Sequence, residues 1–336
     1  MLEEALEAPE AVAQQLAAGD APVAGLAARW RVTPPQRLFT VARGSSDHAA
    51  HFTAYLLMSR LGKPVTSLPP SLVTLEHAPL PRAGSAVLAF SQSGRSPDLV
   101  EATRWFAEGG AETVAFVNDV GSPLAASAGT VVDLHAGDER SVAATKSFIA
   151  QLAAGARLVA AWQADTAFTD ALRSLPESLA AAARADWSSA VDVLSRAQRL
   201  LVIGRGTGLA IAQEAALKLK EVADLHAEAF SGAEVLHGPQ ALVHDGQPVL
   251  VFAPRGPAHA GLTALAETLA QRGARVLLAA PTGTPGATLA IAASREPALD
   301  ALCAIQSFYP LAEAVARARG LDPDRPRHLA KVTLTL

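Results

Sequence analysis

Apolar runs of five to seven residues recur along the chain, each closed by glycine, proline or a short polar cluster and followed by a longer stretch of helical periodicity. In the first half they are 37–43 (RLFTVAR), 85–91 (SAVLAFS), 112–118 (ETVAFVN) and 131–135 (VVDLH). In the second they are 199–205 (RLLVIGR), 248–254 (PVLVFAP), 275–281 (RVLLAAP) and a weaker 288–292 (TLAIA). Short, continuously apolar strands separated by helices predict parallel sheets with crossover helices on both faces.

The two halves align with each other. RLFTVARGSS from Arg37 lies over RLLVIGRGTG from Arg199, and GSAVLAFSQSG from Gly84 over GQPVLVFAPRG from Gly246, both at an offset of about 162 residues. The chain therefore reads as α/β, two tandem doubly wound parallel-sheet domains of flavodoxin-like or Rossmann-like type. The expected boundaries are an N-terminal helical segment over 1–28, a first domain over 29–170, a helical linker over 171–197, a second domain over 198–320 and an extended tail over 321–336.

One strand end stands out. After 85–91 the sequence turns at once into Ser91, Gln92, Ser93, Gly94, Arg95 and Ser96, whereas the second copy has Ala253, Pro254, Arg255 and Gly256 in that place. The fold does not need those hydroxyls. Two readings compete. A serine-capped helix start explains Ser96 and Pro97. A phosphate site beyond the carboxyl ends of the strands, at a helix N-terminus, also uses Ser91, Gln92 and Ser93, and it is favoured. Ser45 and Ser46, after Gly44, occupy the matching loop behind the first strand.

Other residues carry possible chemistry. In the stretch from Gln213, Glu214, Lys218 and Glu221 share a helix face, while Ile211, Ala215, Leu219 and Val222 line the core side. Such spacing fits a solvated ion-pair ladder or a catalytic carboxylate with its cation. His237, before Gly238 and Pro239, is either a plain turn residue or an imidazole fixed for acid–base work. Lys331, between Ala330 and Val332, sits in an apolar setting suited to a nucleophilic amine, at the start of a short terminal strand. VIGRGTGLA lacks the third glycine of a dinucleotide fingerprint, because position 209 is Leu209. His48 and His51 lack the further ligands of a metal site and read as a polar helix face.

Composition narrows the classes. A net charge of −4 offers no footprint for nucleic acid. No stretch reaches the ~20 apolar residues of a membrane span, since 149–164 is broken by Gln151, Arg157 and Gln163. The acidic opening lacks the pattern of an export or lipidation signal. The single cysteine, Cys303, leaves no internal disulfide or cysteine-metal cluster and fits a reducing cytoplasm.

In chain order, ARGSS, SQSGRSPD, ERSVAATKSF, EAALKLKEV, HAEAF, LHGPQAL and PRHLAKVT resemble motifs of the sugar isomerase (SIS) family. Within it they are similar to the isomerase half of glutamine-fructose-6-phosphate aminotransferase and to stand-alone glucosamine-6-phosphate deaminases of the second type. The resemblance covers nearly the whole chain and implies tandem SIS domains with no cofactor and no metal. It implies that Ser91, Gln92, Ser93 and Ser96 hold a sugar phosphate, that Ser46 lies near the sugar hydroxyls, and that Val142 and Ala144 are contact positions. It implies Glu221 as general base, Lys218 as its cationic neighbour, His237 as ring opener from the partner of a homodimer, and Lys331 as the amine meeting the open-chain carbonyl.

Two departures matter. The aminotransferase's glutaminase domain, with its cysteine nucleophile after the initiator methionine, has no counterpart here, where residue 2 is Leu2; no glutamine hydrolysis is expected. Ala144 replaces the serine usual in the sugar loop, removing one hydrogen bond and leaving the sugar open. The resemblance implies deamination of glucosamine 6-phosphate to fructose 6-phosphate and ammonia. Its rivals are ammonia-dependent glucosamine-6-phosphate synthesis, fructosamine-6-phosphate deglycation and tagatose- or galactosamine-phosphate isomerisation. From another class, a sugar-phosphate sensor would carry a DNA-binding domain, for which the chain has neither length nor positive charge, and would have no use for the four candidate catalytic residues together.

Overall fold

The computed structural model describes residues 1–19 and 21–331. They form two compact units. The first comprises residues 10–139 and 146–173 together with the tail from Ala330; the second comprises Met1–Pro9, Arg140–Thr145 and Ser174–Leu329.

Each unit is built on one five-stranded sheet. The first contains β1 (Arg37–Val41), β2 (Val65–Ser67), β3 (Ser85–Ser91), β4 (Glu112–Val117) and β5 (Thr130–Asp133) in the order β2-β1-β3-β4-β5. The second contains β6 (Arg199–Gly204), β7 (His226–Ser231), β8 (Pro248–Phe252), β9 (Arg275–Pro281) and β10 (Leu289–Ile291) in the order β7-β6-β8-β9-β10. Every pairing is parallel. The two orders are one doubly wound topology used twice, as the repeat predicts.

All eight apolar runs are strands. The two elements added by the structure, β2 and β7, are the corresponding edge strands of the two sheets. Each has a single partner and carries exposed residues, so neither shows the continuous apolar run of the central β3, which is buried throughout. The N-terminal helical segment consists of three helices, Leu2–Leu6, Ala8–Ala17 and Ala21–Val32.

The duplication extends to the helices. Those at Ser45–Leu61 and Thr207–Ala223 are both 17 residues long, and each follows a glycine of nearly the same conformation, φ 55° and ψ −134° at Gly44, φ 64° and ψ −132° at Gly206. Gly204 has a packing role instead of a dinucleotide one: a Cβ there would lie 2.1 Å from the Gly208 carbonyl oxygen, so strand and helix approach only without a side chain. In the first unit Phe90 and Phe116 stack at 4.3 Å on neighbouring strands, and the Lys146–Gln163 helix is buried almost all round. Its Arg157 donates to the backbone oxygens of Gln15 and Gly19 at 3.1 and 3.0 Å, which ties the end of the Ala8–Ala17 helix to it. Cys303 is buried in the Asp300–Ala318 helix, where desolvation pushes its thiol up to about 12 and suppresses the reactive thiolate. Among the described residues no helix is long and apolar enough to cross a membrane.

Candidate active site

The serine loop leaves the carboxyl end of β3 and enters the Pro97–Glu108 helix. It curls around its own hydroxyls. Gly94 N–H donates to Ser91 Oγ at 3.0 Å and Arg95 N–H to Ser93 Oγ at 3.3 Å, while Leu124 N–H donates to the Gly94 carbonyl at 3.0 Å. Gly94 has φ +62°, and a Cβ there would fall 2.1 Å from Ser122 Oγ, so both conformation and space demand glycine. Gly94→Ala is expected to cost about 1–3 kcal/mol of stability, read as a lowered urea midpoint; an unchanged midpoint would show that the loop tolerates the methyl group.

Two details refine the sequence reading. Ser96 stands at the N-cap position, but its side chain makes no capping bond, so the cap does not account for its hydroxyl. Arg95 in the same loop pairs with Asp119 at 2.8 Å on the surface. In the second copy the corresponding turn is filled from within: Arg255 donates to both carboxylate oxygens of buried Asp300, at 2.6 and 2.8 Å, and to the Ser294 carbonyl at 2.5 Å. That copy also places Gly256 at φ +128° against +62° at Gly94, so the loop shape is not kept with the hydroxyls gone.

Ser46 lies in the first turn of its helix and accepts from Gln151 Nε2 at 3.0 Å. Gln151 is buried, and its Oε1 has no hydrogen-bond partner among the described residues. Beside Ser46, burial pushes the Asp47 carboxyl up against the opposing pull of His48, His51 and Arg43. Lys331 departs from expectation. Its setting is not apolar: Nζ donates to Glu139 Oε2 at 3.1 Å, and the terminal strand expected beyond it lies outside the described residues.

In the second unit the Thr207–Ala223 helix turns Ile211, Ala215, Leu219 and Val222 into the core as predicted. The charged face is not a solvated ladder. The side chains of Glu214 and Lys218 are 0% and 1% exposed, and only Glu221, at 20%, reaches solvent. Lys218 Nζ donates to Glu221 Oε2 and stands 3.5 Å from Glu214 Oε1. The ammonium is buried between two carboxylates, and of the three side chains Glu221 alone reaches solvent. Ion pairs are costly to bury and are a weak means of stabilisation, so such a cluster is a candidate for function. His237 is exposed in a turn closed by its own N–H to the Glu234 carbonyl at 2.9 Å. Val142 and Ala144 are half-buried and alternate with buried Ser141, Ala143 and Thr145.

The candidates thus fall into two sets. Ser46, the serine loop and Lys331 belong to the first unit; Lys218, Glu221, His237, Val142 and Ala144 belong to the second. Sequence reading passed over two polar anchors, Gln151 and Glu139. Gln151 had served only as an interruption of an apolar run, and Glu139 stands at the head of the ERSVAATKSF segment.

The SIS domain profile matches residues 32–161 and 193–308, and the chain belongs to the SIS domain family. Among curated relatives, it is 37% identical over 324 residues to the isomerizing glutamine–fructose-6-phosphate aminotransferase of Corynebacterium efficiens, covering 88% of this chain and 50% of that protein. The Aeropyrum pernix protein of the same name is 36% identical, covering 98% and 56%. The chain spans about half the length of these relatives. Among solved structures, a Silicibacter pomeroyi protein assigned as a phosphosugar isomerase is 45% identical with a TM-score of 0.91, covering 96% of this chain and 99% of that one. The C-terminal domain of the Francisella tularensis glucosamine-fructose-6-phosphate aminotransferase shares the fold at 24% identity and a TM-score of 0.83, covering 97% and 98%.

Proposed function

We propose that the protein is a phosphosugar isomerase that deaminates an amino sugar phosphate, converting glucosamine 6-phosphate and water to fructose 6-phosphate and ammonia. The observation that carries this reading is the buried Glu214–Lys218–Glu221 cluster with Glu221 at its open end. Moving a proton next to a carbonyl requires a placed base and a cation to hold the charge that develops, and Glu221 beside Lys218 supplies both. The similarity to aminotransferases named for fructose 6-phosphate, the proposed product, and to a protein assigned as a phosphosugar isomerase, supports the choice of substrate class.

Ser91, Gln92, Ser93 and Ser96 hold the phosphate ester, with Ser46, Val142 and Ala144 along the sugar. His237, contributed by the second subunit of a homodimer, opens the ring. Glu221 removes the C2 proton of the open-chain aldose amine and returns it to C1. The aldehyde oxygen gains a proton, the C2 amine becomes an imine, and water releases it as ammonia. Lys331 engages the open-chain carbonyl of the ketose.

Purified protein incubated with glucosamine 6-phosphate is expected to release ammonia and fructose 6-phosphate in equal amounts. A panel of galactosamine, fructosamine and tagatose 6-phosphates, and of fructose 6-phosphate with ammonium, ranks the alternatives. Binding without product across the panel would instead identify a sensor.

A further inference from the structure

The Glu139 carboxylate is fully buried, yet it is not buried for packing. Both oxygens are engaged at the start of the Lys146–Gln163 helix: Oε1 accepts from Ser147 N–H at 3.2 Å and Oε2 from Ser147 Oγ at 2.5 Å. A helix N-terminus favours an anion there. The same Oε2 accepts from Lys331 Nζ at 3.1 Å, across 192 residues of sequence. The two partners differ in exposure, 0% for the Glu139 side chain and 25% for that of Lys331. The amine is therefore the solvent-facing end of an anion anchored on rigid structure, the arrangement that fixes a reactive group in place.

We propose that Glu139 is the positioning residue of Lys331, holding its ammonium in the resting protein and accepting a proton from it when the amine is required. This rests on the reading of Lys331 as the amine that meets the sugar carbonyl. In that step an Nζ–H bond breaks and the proton passes to Glu139 Oε2. The freed lone pair forms the Nζ–C bond, the C=O π pair moves to oxygen, and a proton shift from nitrogen to oxygen yields the neutral carbinolamine. The proton held on Glu139 then leaves with that oxygen as water. The product is the iminium of Lys331 and the ketose, with Glu139 again a carboxylate.

The test compares the full-length wild type with Glu139→Gln by two readouts. The first is acylation of lysines by an N-hydroxysuccinimide ester, followed by peptide mass spectrometry with exposed Lys220 as internal reference. Loss of the ion pair is expected to speed Lys331 labelling about fivefold relative to Lys220. The second is borohydride trapping with fructose 6-phosphate together with steady-state kinetics. Trapped adduct at Lys331 and kcat are expected to fall about tenfold or more, with KM within about twofold. Unchanged Lys331 labelling in a folded Glu139→Gln protein overturns the inference, as does undiminished trapping. A wild type that traps no sugar at Lys331 overturns the Schiff-base reading instead, and the labelling contrast still decides whether Glu139 holds the amine. Should Glu139→Gln unfold, raising Lys220 and Lys331 labelling together, Ser147→Ala decides: it loosens one anchor of the carboxylate and is expected to raise Lys331 labelling alone.

Discussion

Glu221→Gln is expected to lower kcat by about 10²- to 10⁴-fold while the protein stays folded and binds glucosamine 6-phosphate with little change. Glutamine has the shape of glutamate, and its amide oxygen can still accept from Lys218. Its loss of charge is tolerated because Lys218 keeps Glu214 as a partner at 3.5 Å. What disappears is the only carboxylate of the cluster that reaches solvent, and with it the proton acceptor. A base-specific readout separates this from a general loss of fit: with glucosamine 6-phosphate deuterated at C2, NMR should find deuterium carried to C1 of the fructose 6-phosphate made by the wild type. The variant should bind substrate and transfer nothing. Turnover within about tenfold of the wild type would move the base elsewhere.

The central strands and the repeat were readable because burial on both faces demands continuous apolar runs, and because a duplicated unit repeats those runs at nearly one spacing. The edge strands β2 and β7 were not. Val65–Ser67 is three residues long with one partner, and His226–Ser231 intersperses exposed His226 and Glu228 among its apolar residues, because an edge position needs no continuous apolar run. The serine loop stands out for the opposite reason: hydroxyls cluster at the end of an apolar strand and are absent from the other copy, although Ser91 and Ser93 also accept backbone hydrogen bonds within the loop. The Glu214, Lys218 and Glu221 spacing was also visible, but its burial was not, since the same spacing serves a solvated ladder. Tertiary packing decides it. The Glu139–Lys331 pair has no local signature, because two charges 192 positions apart share no periodicity.

Burial also sets the largest expected effect on stability. Lys218→Met keeps the length of the side chain and removes the ammonium, leaving the fully buried Glu214 and the one-fifth exposed Glu221 without the charge between them. Removing one member of a buried ion pair costs about 3–5 kcal/mol, because the remaining charge is neither solvated nor compensated. The urea midpoint of Lys218→Met should fall by an amount equivalent to that loss, together with the loss of activity expected when the cation beside the base is gone. Adding Glu214→Gln to Lys218→Met removes the buried carboxylate that faced the ammonium and should restore part of the stability, though not the activity. That split between recovered folding and unrecovered turnover separates the two tasks of Lys218. A loss below about 1 kcal/mol in the single variant would show that Glu214 is compensated by other groups, and that the ammonium does not hold this cluster together.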